Sequence, residues 1–327
     1  MTKLKRIAAI VAAAIMTAAF ASAADVNHGM LAKAHSALQA GEASRALSLL
    51  QDAPRSGPEA ADALNLQCRV RYSLEQWNEA ASACAEAVRI DRQNSDYHMW
   101  LGRALGEKAS RASFLTAYSL AKQARTEFET SVRLDPRNAD ALADLGEFYA
   151  EAPAVVGGGL DKAESIAEQL DKVDRSQAAE LRGRIAQARK DYSGAERYFK
   201  QAVTLSARPA EAWAALASFY RHQKRWEQME WAVRNCAAAA SRGHDHGVGL
   251  FNGASVLIQA NRDSGLAAKM LDDYLRGPRT ESGPAFQAHL WLARLKAQLG
   301  DTEGAQQEQI AARNLAGELL PTGSAKN

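Results

Sequence analysis

Phe128, then Val132-Arg133-Leu134-Asp135-Pro136-Arg137-Asn138-Ala139-Asp140, then Leu142, Leu145-Gly146 and Tyr149, is the stretch that decides how this chain folds. Apolar residues three and four apart mark a helix running up to Leu134. Pro136 stops it, because proline has no N–H to donate and its ring clashes with the preceding turn. A second helix starts at once, carrying the stripe Leu-x-x-Leu-Gly-x-x-Tyr over 142–149. A helix, a proline and a helix that places glycine among large residues make a unit built for close helix crossing.

This stretch resembles the junction between two tetratricopeptide repeats. That pattern sets Trp-x2-Leu-Gly-x2-Tyr on a first helix, Ala-x3-Phe on a second, and proline after it, in 34 residues. Working outward, the second-helix alanine is the best anchor. Copy one has Ala46, Leu50, Ala53 and Pro58; copy two has Leu64, Trp77, Ala80, Cys84 and Ala87; Ala46 to Ala80 is 34 residues. Copy three has Leu101-Gly102, Leu105, Ala124, Phe128 and Pro136, and copy four has Leu142, Leu145-Gly146, Tyr149, Ala163 and Ala167. Copy five has Gly183, Ala186, Ala195, Phe199 and Ala202; copy six has Trp213, Leu216, Ala217 and Tyr220, with Met229 at the alanine position. Copies seven (Phe251, Ala267, Leu271) and eight (Leu292, Ala293, Gly300, Ala305) are degenerate. The resemblance covers roughly residues 29–316 and implies an all-α solenoid, a right-handed superhelix of about eight helix-turn-helix repeats. An unrelated alanine-rich helical bundle is the alternative, and it leaves the recurring spacing unexplained.

The first residues stand apart. Lys3, Lys5 and Arg6 precede an apolar run over 7–20 and the small residues Ala21-Ser22-Ala23. These are the parts of a secretory signal peptide over 1–23, cut after about Ala23. A retained anchor is the alternative, but the run is short for a span of ~20 residues. The expected location is periplasmic or secreted, with no membrane span after cleavage. Loss of the three leader cations takes the formal charge from +2 to −1, so bulk attraction to nucleic acid is not indicated. The solenoid is expected over 24–316, with a bend near 206–209 where Met229 crowds a seam, and a flexible tail over 317–327.

Three cysteines occur, Cys68, Cys84 and Cys236. In the repeat register Cys68 and Cys84 face one seam within copy two. They are candidates for a disulfide, against the alternative of two buried thiols. Cys236 is expected to stay unpaired and buried.

Copies three and four carry insertions, around 107–118 and 152–159. The first is helix-compatible and predicts lengthened helices. The second, with Pro153 and Gly157-Gly158-Gly159, predicts an irregular turn. Both lie at the same end of adjacent pairs. Phe114, Leu115, Tyr118, Val155 and Val156 would then form one apolar cluster, either as internal packing or as a partner-binding knob. The glycine run is no phosphate loop: it follows no strand and lacks the Gly-x4-Gly-Lys-Ser/Thr order.

Catalytic chemistry finds little support. His244-Asp245-His246 is the one dense set of metal-ligand types, without a fourth ligand, so no metal or cofactor is expected. The other histidines are scattered, and the repeats leave no segment for a catalytic domain. In the family this chain resembles, first helices line a concave face that holds peptides. Projected onto that face are Asn65, Arg69, Tyr72, Arg103, Glu147, Arg184 and Arg221, with Glu180, Asn252 and Arg294 beside them. The arginines imply an acidic or C-terminal peptide as ligand; ordinary solvated charge is the alternative. The expected function is a non-catalytic exported scaffold that binds a protein or peptide. An accessory role in cell-envelope biogenesis or polysaccharide export is the alternative, and a metal-dependent hydrolase a more distant one.

Overall fold

In the computed structural model, which describes residues 28–242 and 247–320, helices follow one another in pairs and no strand occurs among the described residues. The pairs are α1 (28–39) with α2 (Ala43–Leu50), α3 (Pro58–Ser73) with α4 (Trp77–Ile90), and α5 (Ser95–Arg111) with α6 (Phe114–Leu134). Next come α7 (Ala139–Glu151) with α8 (Leu160–Leu170), α9 (Arg175–Ala188) with α10 (Tyr192–Leu205), and α11 (Pro209–His222) with α12 (Trp226–Arg242). The last are α13 (Val248–Ala260) with α14 (Ser264–Arg276), and α15 (Ala285–Gln298) with α16 (Thr302–Ala316).

Local chemistry sets the boundaries. Asn94, Asn138 and Asp174 cap α5, α7 and α9, each accepting hydrogen bonds from backbone N–H groups of the first turn. Within six of the eight pairs the turn passes through a left-handed residue: Gly41, Glu75, Lys190, Lys224, Asn261 (followed by Asp263) or Gly300. The α7–α8 connection has Gly157, at φ +99°, and only the α5–α6 turn has none. The anchor alanines Ala46, Ala80, Ala124, Ala163, Ala195 and Ala267 are fully buried. They let the two helices of a pair approach closely. Gly102 does the same from the other side: a Cβ there would lie 2.6 Å from the Phe128 ring.

Cys68 and Cys84 are joined by a disulfide across the α3–α4 seam, with Cα atoms 5.2 Å apart. Cys236 keeps a buried thiol that donates to the carbonyl of Gly249 at 3.1 Å.

The core is a chain of clusters. It is continuous across Ser206–Pro209, where the sequence suggested a bend. One buried cluster runs from Ala186 through Phe199, Tyr220 and Met229 to Leu295, and Phe199 meets Phe219 across the junction at 5.2 Å. Met229 is fully buried without strain on that continuity, because its unbranched side chain fills irregular space. A departure from the sequence expectation is at the C-terminus. Residues 317–320 do not leave the fold: Gly317–Leu319 form a 3-10 turn, and Leu319 and Leu320 pack on the first repeat. The leader segment and His244-Asp245-His246 lie outside the described residues.

That last contact closes the array. Phe286 of α15 and Ala316 of α16 are buried in one cluster with Leu31, Leu38, Leu50 and Val70. Gly41, at φ +74°, sits so tightly on α15 that a Cβ would lie 2.5 Å from the Ala285 nitrogen. Arg69 meets Glu281 at 2.6 Å, and Gln39 Oε1 accepts from the Glu281 N–H at 3.2 Å. A solenoid normally ends in two exposed caps. Here the first and last pairs cap each other, and the rod becomes a ring.

The candidate binding cavity

Closure turns the inner face into a cavity of about 660 Å³, lined by α3, α5, α7, α9, α11, α13 and the segment joining α14 to α15. That size lies within the ~300–1,000 Å³ typical of ligand sites. Every pair from the second to the seventh contributes its first helix, because second helices sit on the outer layer.

Of the residues singled out from sequence, Arg69, Arg103, Glu147 and Arg184 line the cavity, with Glu180 and Asn252. Arg69 and Arg103 converge on one aromatic face: their guanidinium carbons lie 5.4 and 4.7 Å from the Trp100 ring centroid. Neither charge is available unopposed. Arg69 is held by Glu281 and Arg103 by Asp144 at 2.5 Å. Burial raises the Asp144 carboxyl to about 6, against the pull of the Arg103 charge beside it. Arg184 is gripped by Glu147 at 3.0 Å, Glu180 at 3.1 Å and Glu151 at 3.4 Å.

Three expected residues fall elsewhere. Asn65 is buried within α3, its Oδ1 without a hydrogen-bond partner. Tyr72 packs edge-on against Trp77 and Trp100, at 5.0 and 5.5 Å, and burial pushes its hydroxyl well above the usual tyrosine range. Arg221 turns to His222, with 2.7 Å between Nη2 and Nε2.

Sequence reading named Glu147 and Glu180 and passed over five other carboxylates. Asp96, Asp140, Asp174, Glu211 and Glu281 all line the cavity. The first four stand at the N-terminal end of α5, α7, α9 and α11, a position that recurs with the repeat and so was open to inspection. Glu281 comes from a connecting segment and reaches the cavity only through closure. The lining holds seven carboxylates and four guanidiniums. Arg208 is paired with Glu211 at 3.0 Å. Asp96 accepts from Asn138 Nδ2, Asp174 caps α9, and Asp140 lies in the field of Arg103, which Asp144 already holds; none of the three makes a salt bridge among the described residues. The sequence expectation of an acidic ligand thus meets a wall whose excess charge is negative. Met99, Trp100, Ala143, Leu181, Ala212 and Val248 supply apolar surface between the charges.

The buried pairs His98–Glu127 and His289–Glu308, at 2.6 and 2.5 Å, lie away from the cavity. No group of three metal-ligand side chains occurs among the described residues, and no described helix is long and apolar enough to cross a membrane. The cavity offers fixed charges, an aromatic face and a preformed hollow.

A tetratricopeptide repeat family model matches residues 31–95 and 180–228. No curated protein matches the chain. Among solved structures, a thermophilic tetratricopeptide repeat protein of Thermus thermophilus is similar, at 19% identity and a TM-score of 0.50, over 59% of this chain and 98% of that one. A tetratricopeptide repeat protein of Parabacteroides merdae matches at 13% identity and a TM-score of 0.48, covering 83% of this chain and 98% of its own. PilF of Pseudomonas aeruginosa matches at 17% identity and a TM-score of 0.41, covering 77% of this chain and 98% of its own. The family match and the Thermus likeness support a helical-repeat protein of the tetratricopeptide type.

Proposed function

We propose that this chain is an exported, non-catalytic scaffold that holds an extended, cationic segment of a protein partner in its central cavity. One observation carries the reading. Asp96, Asp140 and Asp174 stand without a salt bridge among the described residues, in a hollow that also offers Trp100 and Met99. Lysine or arginine side chains of a bound segment would meet carboxylates, and their aliphatic stems would lie on apolar surface. Helical repeats of this type present such a preformed inner face, whose polar positions vary without disturbing the stacking. The leader-like residues 1–23 and the Cys68–Cys84 disulfide support an oxidising location.

The test is affinity capture with the chain from Ala24 onward, followed by crosslink mapping and binding of synthetic segments. Lysine- or arginine-rich segments are expected, crosslinked to the first helices. Replacing Asp96, Asp140 and Asp174 together by asparagine keeps the α9 cap and removes three charges. At up to ~1 kcal/mol per exposed charge pair, binding should weaken about tenfold or more, and added salt should weaken it too. Preference for acidic segments, or an unaffected triple variant, would sink the reading.

A further inference from the structure

The insertion in the third pair builds a projecting tip. α6 has 21 residues against 14 in α4. Both end alike, at Asp135 and Asp91, so the extra residues lie at the start of α6 and carry it ~10 Å past its neighbours at 1.5 Å per residue. At that start stand Phe114 and Leu115, 81% and 80% exposed. Tyr118 follows one turn on and is also exposed. The single apolar cluster expected from sequence does not form. Val156 is buried, and its carbonyl accepts from Arg125 Nη1, eleven residues along α6 from Phe114. Other exposed large apolar side chains, such as Trp231, Leu299 and Ile310, stand singly, which is ordinary. Two adjacent ones on a protruding end are not.

The charge around the tip is one-sided. Residues 108–126 contain Lys108, Arg111, Lys122 and Arg125 and no carboxylate; Glu127 follows directly, and Arg125 meets Glu129 at 3.4 Å. Glu107, just outside, is taken up by Arg111, whose guanidinium also lies 4.7 Å from the Trp77 ring centroid. Lys122 Nζ lies 5.4 Å from the Tyr118 ring centroid. We infer that this tip docks on an anionic lipid surface. Phe114 and Leu115 enter the acyl boundary, Tyr118 and Trp77 sit at headgroup depth, and the cations meet lipid phosphates. The shape favours lipid over a protein pocket: the tip projects past its neighbours, and the cations beside it that make no salt bridge among the described residues are Lys108 and Lys122. The surface is separate from the cavity, so a scaffold held at a membrane keeps its hollow free.

The experiment is co-sedimentation of the chain from Ala24 onward, which keeps every described residue and lacks the apolar leader that would bind vesicles by itself. Vesicles of phosphatidylglycerol with phosphatidylethanolamine are compared with pure phosphatidylcholine. Binding is expected to the anionic vesicles, weakened by salt. It should fall about tenfold or more in F114S/L115S, and several-fold in K108Q/K122Q. Both serine positions are solvent-facing, so far-ultraviolet circular dichroism and melting temperature should match the parent. Absence of binding to anionic vesicles overturns the inference. So does undiminished binding of F114S/L115S, or a tip that crosslinks only to a protein partner while vesicles fail to bind.

Discussion

Phe286→Ala tests the ring at its seam. Phe286 is the second residue of α15, 1% exposed, and its cluster belongs to the first repeat, about 250 residues away in sequence. Full burial of such a side chain is worth ~1.5–3 kcal/mol in transfer alone, and the cavity left behind raises the cost of truncation to ~3–5 kcal/mol. Arg69–Glu281 and the Gln39–Glu281 hydrogen bond remain, so the ends should still meet, but open far more often. At ~1.4 kcal/mol per factor of ten, local opening at the seam should rise by two to three orders of magnitude. Hydrogen exchange read by mass spectrometry is the assay. Amides of α1, α2 and α16 should lose protection together with α15, while α5 to α10 keep theirs. Small-angle scattering should show a larger radius of gyration. If protection is lost in α13–α15 alone and α1–α2 are untouched, closure is not what buries Phe286, and the ring argument fails.

Other expectations follow from single contacts. Arg69→Ala should cost more than the Arg69→Ala/Glu281→Ala pair, because the single change leaves a largely buried carboxylate uncompensated; a double-mutant cycle in urea reads the coupling, and additive costs would refute it. Cys68→Ala/Cys84→Ala opens a loop of sequence separation 16, for which chain entropy predicts a loss of ~3 kcal/mol; equal midpoints in denaturant for the oxidised parent and the variant would contradict this. Burial opposes ionisation of Glu196, but hydrogen bonds from Arg225, Lys200 and Tyr220 outweigh it and hold the carboxyl at about 2. The stability this contributes is complete above the unfolded value near 4.5 and is lost as pH falls toward 2, ~3 kcal/mol at most. A pH series of melting curves should show that acid-side loss in the parent and much less of it in Glu196→Gln.

The fold was legible because its determinants are local. Pro136, the anchor alanines and the small residues of the first helices act within one pair or on the next. The recurrence of Ala46, Ala80, Ala124 and Ala163 was therefore enough to set helix pairing without coordinates. The inward row was half legible. Arg69, Arg103, Glu147 and Arg184 line the cavity, whereas Asn65 and Tyr72, on nearly the same face of α3 as Arg69, are taken into packing and Arg221 turns to His222. Of the acidic lining, Glu147 and Glu180 were singled out; the caps and first-turn carboxylates Asp96, Asp140 and Asp174 read as helix starts and are wall residues as well.

Each pair rotates slightly against the last, and residue pattern reports that pairs stack without reporting the size of the step. Whether eight steps bring the ends together depends on the sum, and on side chains at either end that meet only after it is complete. Composition and spacing therefore specify a helical-repeat chain with polar inward positions. The ring, the Arg69–Glu281 latch and the sign of the charge inside arise in three dimensions, where small angles add and distant residues first share a surface.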